Sequence, residues 1–346
     1  MAPVTPGRLR QGDTVAVVSP SWGGPSRFPA IYELGLSVLR EELGLRVREM
    51  PNARTDADWL ALHPEARAAD LTAALEDPEV RGIWCSIGGE DSMRLLPHLD
   101  SSLPLRHPKV LVGYSDSTTL LIWMRTHGVV SFHGPSIMAG IAQWRSLPPE
   151  FAEQLRSVLF EPDGGHQYRP FPWFSEGYEN WGEPASIGTT KPHQPSEPWR
   201  WLNAPRRFEG ELFGGNLETL DLLKGTRFFP FPEFFDGQVL FLETSEEHPP
   251  PKAVGASLRN YGVSGILGRL SGLLLARPRG YSAEERKELD DRVRAVVVDE
   301  FGLTDLPVVT GLDFGHTDPQ WVLPLGGRVR LDPEGPTFTL TEPAVA

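Results

Sequence analysis

Over its first 160 or so residues the chain alternates short apolar runs with stretches of helical periodicity. TVAVVSPS, RVREM, GIWCSI, KVLVGYS and VVSFHGP read as strands. Between them IYELGLSVLREEL, the segment around ARAADLTAAL, DSMRLLPHL and STTLLIWMRTHG repeat apolar residues at helical spacing, the first closing at Gly44 and the last at Gly128. Strand and helix in alternation predict a parallel sheet covered on both faces, a Rossmann-like doubly wound α/β domain over residues 1–161.

Periodicity then fails between residues 162 and 203, where EPDGGHQYRPFPWFSEGYENWGEPASIGTTKPHQPSEPWRWLN predicts a long connecting loop. Loops of this length are uncommon unless they are functional or disordered, and Trp173, Trp181, Trp199 and Trp201 argue against simple disorder. From residue 204 to 346 the strands RRFEGELFGG, GQVLFLETS, LSGLLLARP, LPVVTGL, WVLPLGGRVRLD and TFTLT mix with the helices NLETLDLLKG, PKAVGASLRNYG and AEERKELDDRVRAVVVDEFG. They predict a second, mixed and strand-rich domain.

Composition narrows the function classes. A formal net charge of -13 argues against a large nucleic-acid footprint, which needs clustered Lys and Arg to displace counterions. The single cysteine, Cys85, excludes an intrachain disulfide framework and a four-cysteine zinc site, and its apolar run predicts an inert buried thiol. No apolar stretch approaches the roughly 20 residues that span a bilayer, and no secretory signal is visible, so a cytoplasmic protein without a membrane partner is expected. Phosphate-loop, dinucleotide and HExxH signatures are missing, so neither cofactor nor metal is expected.

The chemistry gathers where strands end. In VLVGYSDSTTL a buried strand passes directly into a helix at Ser115, a turn that exposes a side chain and aims backbone N–H groups at it. A nucleophile elbow and a helix cap both fit, and Ser117 stands where the hydrolase signature has its second glycine. A hydroxyl needs a base and the base needs an orienting carboxylate. His316, in the turn GLDFGHTDP, is one base candidate and His133, in VVSFHGP, its competitor; His248, beside three prolines, reads as a surface residue. Glu243 closes an apolar strand, and a carboxylate there needs a specific partner, while Glu246 and Glu247 read as solvated and Asp313 or Asp318 could orient His316 instead. The Gly88–Gly89 pair, ending GIWCSIGG, fits a tight turn, and it also fits a backbone that approaches a ligand and offers N–H groups to an oxyanion.

SPS, SIGGEDSMRLLP, VGYSDSTTL, FHGP, FEGELFGGNLETL, FLETSE and PVVTGLDFGHTDPQWVLPLGG occur in the order seen in the LD-carboxypeptidase family of serine peptidases (family S66), which the chain resembles from about Val15 to about Asp332. The resemblance implies a catalytic triad of Ser115, Glu243 and His316 split between two domains. It implies oxyanion donors at the backbone N–H groups of Gly89 and Asp116, substrate contacts at Gly88, Glu90, Trp181 and Asn216, and a homodimer. GGED and the Trp-bearing segment look closer to the microcin C immunity peptidase branch, which hydrolyses an amide between an aspartyl carbonyl and a modified adenylate, than to the branch that releases D-alanine from murein tetrapeptides. The expected ligand is thus a small peptide-nucleotide, with a murein peptide as the alternative. Trp181 is the candidate platform for a nucleobase, since an indole stacked on a base contributes about 1–3 kcal/mol. A protein that sequesters such a ligand without cleaving it, or a scaffold in which these polar residues are only caps, remains a further alternative.

Overall fold

A computed structural model describes residues 2–161, 164–334 and 337–346. Strands β1 (Thr14–Val18), β2 (Arg46–Glu49), β3 (Val80–Cys85), β4 (Val110–Gly113) and β5 (Ser131–His133) fall where the apolar runs predict them. They pair in parallel in the order β5-β4-β3-β1-β2. β1 and β4 are buried along their whole length, as a strand covered on both faces must be. Helices Pro29–Glu41, Pro64–Glu76 and Thr118–Thr126 return the chain between strands, the first two opening on a proline whose missing N–H would have had no partner there. DSMRLLPHL differs from expectation: Ser92–His98 is a 3-10 helix containing Pro97, which cannot supply an α-helical N–H.

Next come β6 (His166–Tyr168), β7 (Trp173–Ser175), β8 (His193–Pro195), β9 (Arg200–Asn203), β10 (Phe208–Asn216), β11 (Val239–Glu243), β12 (Gly272–Ala276), β13 (Val308–Leu312), β14 (Leu323–Leu325), β15 (Arg328–Asp332) and β16 (Thr337–Leu340). An eight-stranded sheet runs β6-β16-β15-β10-β11-β12-β13-β9, parallel from β10 to β13 and antiparallel elsewhere. The fold is therefore mixed α/β, with a parallel-sheet N-terminal part and a strand-rich C-terminal part.

Two features depart from the pattern. The segment 162–203 is not a structureless loop: β6 and β9 become the two edges of the large sheet, and β7 pairs with β8 as a separate ribbon. Such three- and four-residue strands are too short to show periodicity. The expected boundary at residues 161–162 meets Pro162 and Asp163, which lie outside the described residues. WVLPLGGRVRLD, expected as one strand, divides: β14 adds antiparallel to β5 in the first sheet, pairing Leu323 with His133, while β15 joins the second. A C-terminal segment thus completes the N-terminal sheet.

Candidate active site

Parallel strands place their carboxyl ends side by side, and those ends carry the candidate residues. β4 stops at Gly113, and two residues on Ser115 adopts φ 58°, the left-handed region that non-glycine residues rarely occupy. The chain then winds through Ser115–Ser117 into helix Thr118–Thr126. This strained strand–turn–helix lifts the Ser115 hydroxyl into a cleft, the geometry of a nucleophile elbow. Register sets Gly113 beside His133 at the end of β5, and Asn216 beside Glu243 at the ends of β10 and β11.

Three side chains form a line across the two sheets. Glu243 Oε2 accepts from His316 Nδ1 at 2.6 Å, and His316 Nε2 lies 3.2 Å from Ser115 Oγ. Glu243 and His316 are almost fully buried. Gly315, at φ 89°, lets the turn pass close: a Cβ there would fall 2.9 Å from Glu243 Oε2. Arg277 ties that turn down from behind through a 2.7 Å bond to Asp313. Burial alone would depress the His316 imidazole, but the Glu243 charge and hydrogen bonds to Glu243 and Glu246 raise it to about 10. Burial would in turn raise Glu243, and the His316 charge, with the His133 ring alongside, holds it at about 2.

Gly88 and Gly89 pass directly beneath the serine. A Cβ at Gly88 would lie 2.9 Å from Ser115 Oγ, and one at Gly89, where φ is 153°, would meet Ser21 Oγ at 2.2 Å. Both sites therefore demand glycine. Among the described residues, neither Gly89 N–H nor Asp116 N–H has an acceptor in the loop and turn hydrogen bonds, which leaves both for a ligand oxygen. The Asp116 carboxylate faces away from that role, accepting from Ser21 Oγ and, at 2.8 Å, from Ser92 N–H. Its burial raises its pKa.

The cleft has a volume of about 520 Å³, and Gly88, Gly89, Glu90, Ser115, Asn216 and His316 all line it. Trp22, Tyr178 and Trp181 make an aromatic wall, with Tyr178 stacked on Trp181 at 4.3 Å between centroids and 22° between planes. Asn216 caps helix Leu217–Leu223: its Oδ1 accepts from Thr219 N–H and Thr219 Oγ1, both at 2.9 Å, and its backbone N–H donates to Thr118 Oγ1 of the N-terminal part at 3.1 Å. Its Nδ2 has no partner among the described residues.

Residues 15–134 match the LD-carboxypeptidase N-terminal domain and residues 209–331 the LD-carboxypeptidase C-terminal domain. A Streptomyces coelicolor protein with a carboxypeptidase name is 31% identical over 346 residues, covering 99% of this chain and 97% of its own. The chain belongs to the LD-carboxypeptidase family. The family consists of serine peptidases, and the protein is accordingly a serine hydrolase. Microcin C7 self-immunity protein MccF of Escherichia coli is 28% identical over 283 residues, 80% of this chain and 78% of that one. A MccF-like protein from Streptococcus pneumoniae in complex with AMP superposes with a TM-score of 0.82 at 26% identity, over 94% of this chain and 98% of that one. MccF in complex with aspartyl sulfamoyl adenosine shares the fold at a TM-score of 0.87 and 24% identity, over 99% of this chain and all of that one.

Within this S66 chain some sequence expectations need correction. Glu246 is exposed to solvent as expected, but its Oε2 also stands 3.0 Å from His316 Nε2, on the same nitrogen that faces Ser115, a contact the sequence did not show. Its carboxyl is held at about 2 by that bond. Only the tertiary path of the turn at residues 313–318 creates the contact, so nothing local announces it. Asp313 does not orient His316: it pairs with Arg277. Asp318 forms no hydrogen bond to the imidazole either, and its burial raises it to about 6. His133 is fully buried behind Glu243, with Nε2 at 3.7 Å from Glu243 Oε1, beyond hydrogen-bond reach, and does not touch Ser115. Burial pushes the Cys85 thiol up to about 12, as expected of an inert sulfhydryl. No helix among the described residues is long and apolar enough to cross a membrane.

Proposed function

We propose that the protein hydrolyses an amide through an acyl-enzyme on Ser115, and that its substrate is a peptidyl- or aminoacyl-nucleotide. The observation that carries the reaction type is the unbroken line Glu243–His316–Ser115, with hydrogen-bond geometry at both junctions. His316 Nε2 accepts the Ser115 proton as Oγ bonds to the substrate carbonyl carbon. Glu243 holds the tautomer and balances the imidazolium charge, while the N–H groups of Gly89 and Asp116 receive the oxyanion. The C–N bond then breaks as His316 gives its proton to the leaving nitrogen. Water, deprotonated by the same imidazole, attacks the ester and returns Ser115 to its hydroxyl form.

The nucleotide half of the reading is supported by the aromatic wall. Trp181, backed by the stacked Tyr178 ring, offers flat apolar surface within the cleft that holds Ser115, a surface suited to a nucleobase and without use for a murein peptide. The nucleotide ligands of the MccF-type proteins agree with it. A cytoplasmic homodimer that detoxifies or recycles such conjugates belongs to the same reading. The test incubates purified protein and its Ser115→Ala variant with an aspartyl sulfamoyl adenosine and with a murein tetrapeptide, and weighs the products. Release of an amino acid from the nucleotide conjugate by the wild type alone supports the reading; release of D-alanine only would move the protein to the murein branch.

A further inference from the structure

The charges that line the cleft are unbalanced. Glu90, Glu218, Glu246 and Glu247 face it, and no Lys or Arg is among the lining residues described. Of the nearby guanidinium groups, Arg67 is bound to Asp91 at 2.7 Å and to the carbonyls of Pro20 and Ser21. Arg279 lies over the Tyr178 ring at 5.3 Å and its charge reaches Glu246, one cation against the carboxylates of the cleft.

Carboxylates alone make only a hydrated surface, but two buried atoms point at a ligand. Asn216 is 2% exposed, and its Nδ2 donor has no acceptor among the described residues although its Oδ1 is fully used. Glu218 Oε2 is buried without a partner among the described residues, while Oε1 accepts from Ser245 N–H and Oγ at 3.0 and 2.7 Å. Leaving such groups unpaired is unfavourable, and a ligand with a matching acceptor and donor removes that cost.

We infer that the acyl residue of the substrate carries an ammonium group, bound by Glu218 and Glu246 with Glu247 adding attraction, while Asn216 Nδ2 donates to an oxygen of the same ligand. The inference rests on Ser115 as the acylated residue and not on the nucleotide. Glu246 gives the preference a mechanism. At 3.0 Å it pairs with the same His316 nitrogen that must take the Ser115 proton from 3.2 Å away. While that pair stands, Nε2 keeps its proton and cannot act as a base. An ammonium beside Glu246 offers the carboxylate a second partner and frees the imidazole. A neutral acyl group leaves the pair intact, and an acidic one adds repulsion. Glu246 is thus a specificity residue that also positions His316.

The ammonium could be the α-amino group or a side chain, and the test separates them. Lysyl, norleucyl, N-acetyl-lysyl, N-acetyl-norleucyl and aspartyl groups are each joined to sulfamoyl adenosine and to D-alanine, and kcat/KM is measured. N-acetyl-norleucyl substrates are expected to be at least about ten-fold poorer than the best cationic one, and aspartyl about ten-fold poorer than lysyl. Comparison of norleucyl with N-acetyl-lysyl identifies the source. Glu246→Gln is expected to reduce the cationic advantage to within about two-fold and Glu246→Asp to restore part of it, a pattern that loss of structure would not give. Equal rates for N-acetyl-norleucyl and cationic substrates, or aspartyl as the fastest, would overturn the inference. Cleavage of the D-alanine series alone would defeat the nucleotide reading and leave the charge preference readable. Cleavage of neither series by folded wild-type protein would overturn both.

Discussion

Gly88 lies directly under Ser115, so close that a methyl group at residue 88 would stand 2.8 Å from Ser115 Cβ and 2.9 Å from its Oγ. Ser115 has no room to yield, because its backbone already sits at φ 58° and its turn is followed at once by helix. Gly88→Ala is therefore expected to lower kcat/KM by about 100-fold or more, a loss of roughly 3 kcal/mol in transition-state stabilisation. Thermal unfolding should shift far less than activity. Unchanged turnover in a folded Gly88→Ala protein would show that the hydroxyl does not work from the observed position.

The two carboxylates on His316 predict a pH dependence. The imidazole is raised to about 10, and only its neutral form can accept a proton. On a substrate without a cationic acyl group, kcat/KM should therefore rise with pH through the alkaline range. Removing the Glu246 charge lowers the imidazole pKa, so in Glu246→Gln the rising limb should move to lower pH. Superimposable profiles for wild type and Glu246→Gln would contradict a role for Glu246 on this nitrogen.

How much of this was legible in the sequence differs from residue to residue. Asn216 and Glu243 end adjacent parallel strands, so their proximity follows from pattern; Ser115 follows a strand of the other sheet, and only the family resemblance joined it to Glu243 and His316. The Glu246 contact does not follow from pattern, since it depends on how the turn at residues 313–318 folds back over β11. β14 was equally hidden: three residues within an apolar tail carry no periodicity that could assign them to the first sheet rather than the second. The edge strands β6 and β9 failed for the same reason, each being too short to display a period of two.

Asn216 combines a structural and a ligand-directed duty that substitution can separate. Asn216→Ser keeps a capping oxygen for helix Leu217–Leu223 but loses the unpartnered Nδ2. It should leave the melting temperature nearly unchanged while raising KM several-fold. Asn216→Ala should in addition lose about 1 kcal/mol of stability with the cap. Wild-type KM for Asn216→Ser would remove this residue from substrate binding.

His133 is expected to act on Glu243 from behind. Among the described residues its two ring nitrogens have no hydrogen-bond partner, and its ring meets Phe241 and Phe314 edge-on at 5.4 and 6.4 Å. Phe fits such surroundings, so His133→Phe should fold. It removes the polar edge beside Glu243 Oε1, and kcat should fall by about ten-fold with KM little changed. Full activity would reduce His133 to a packing residue.

Every step of the mechanism passes through acylation of Ser115. Rapid-quench mass spectrometry of the protein mixed with excess cleavable substrate detects it, with proteolysis to locate any adduct. A transient mass increase equal to the acyl group is expected on the peptide that contains Ser115, lost on hydrolysis and absent in Ser115→Ala and His316→Ala. Steady turnover with no adduct at any time, or turnover that persists in Ser115→Ala, would contradict that mechanism.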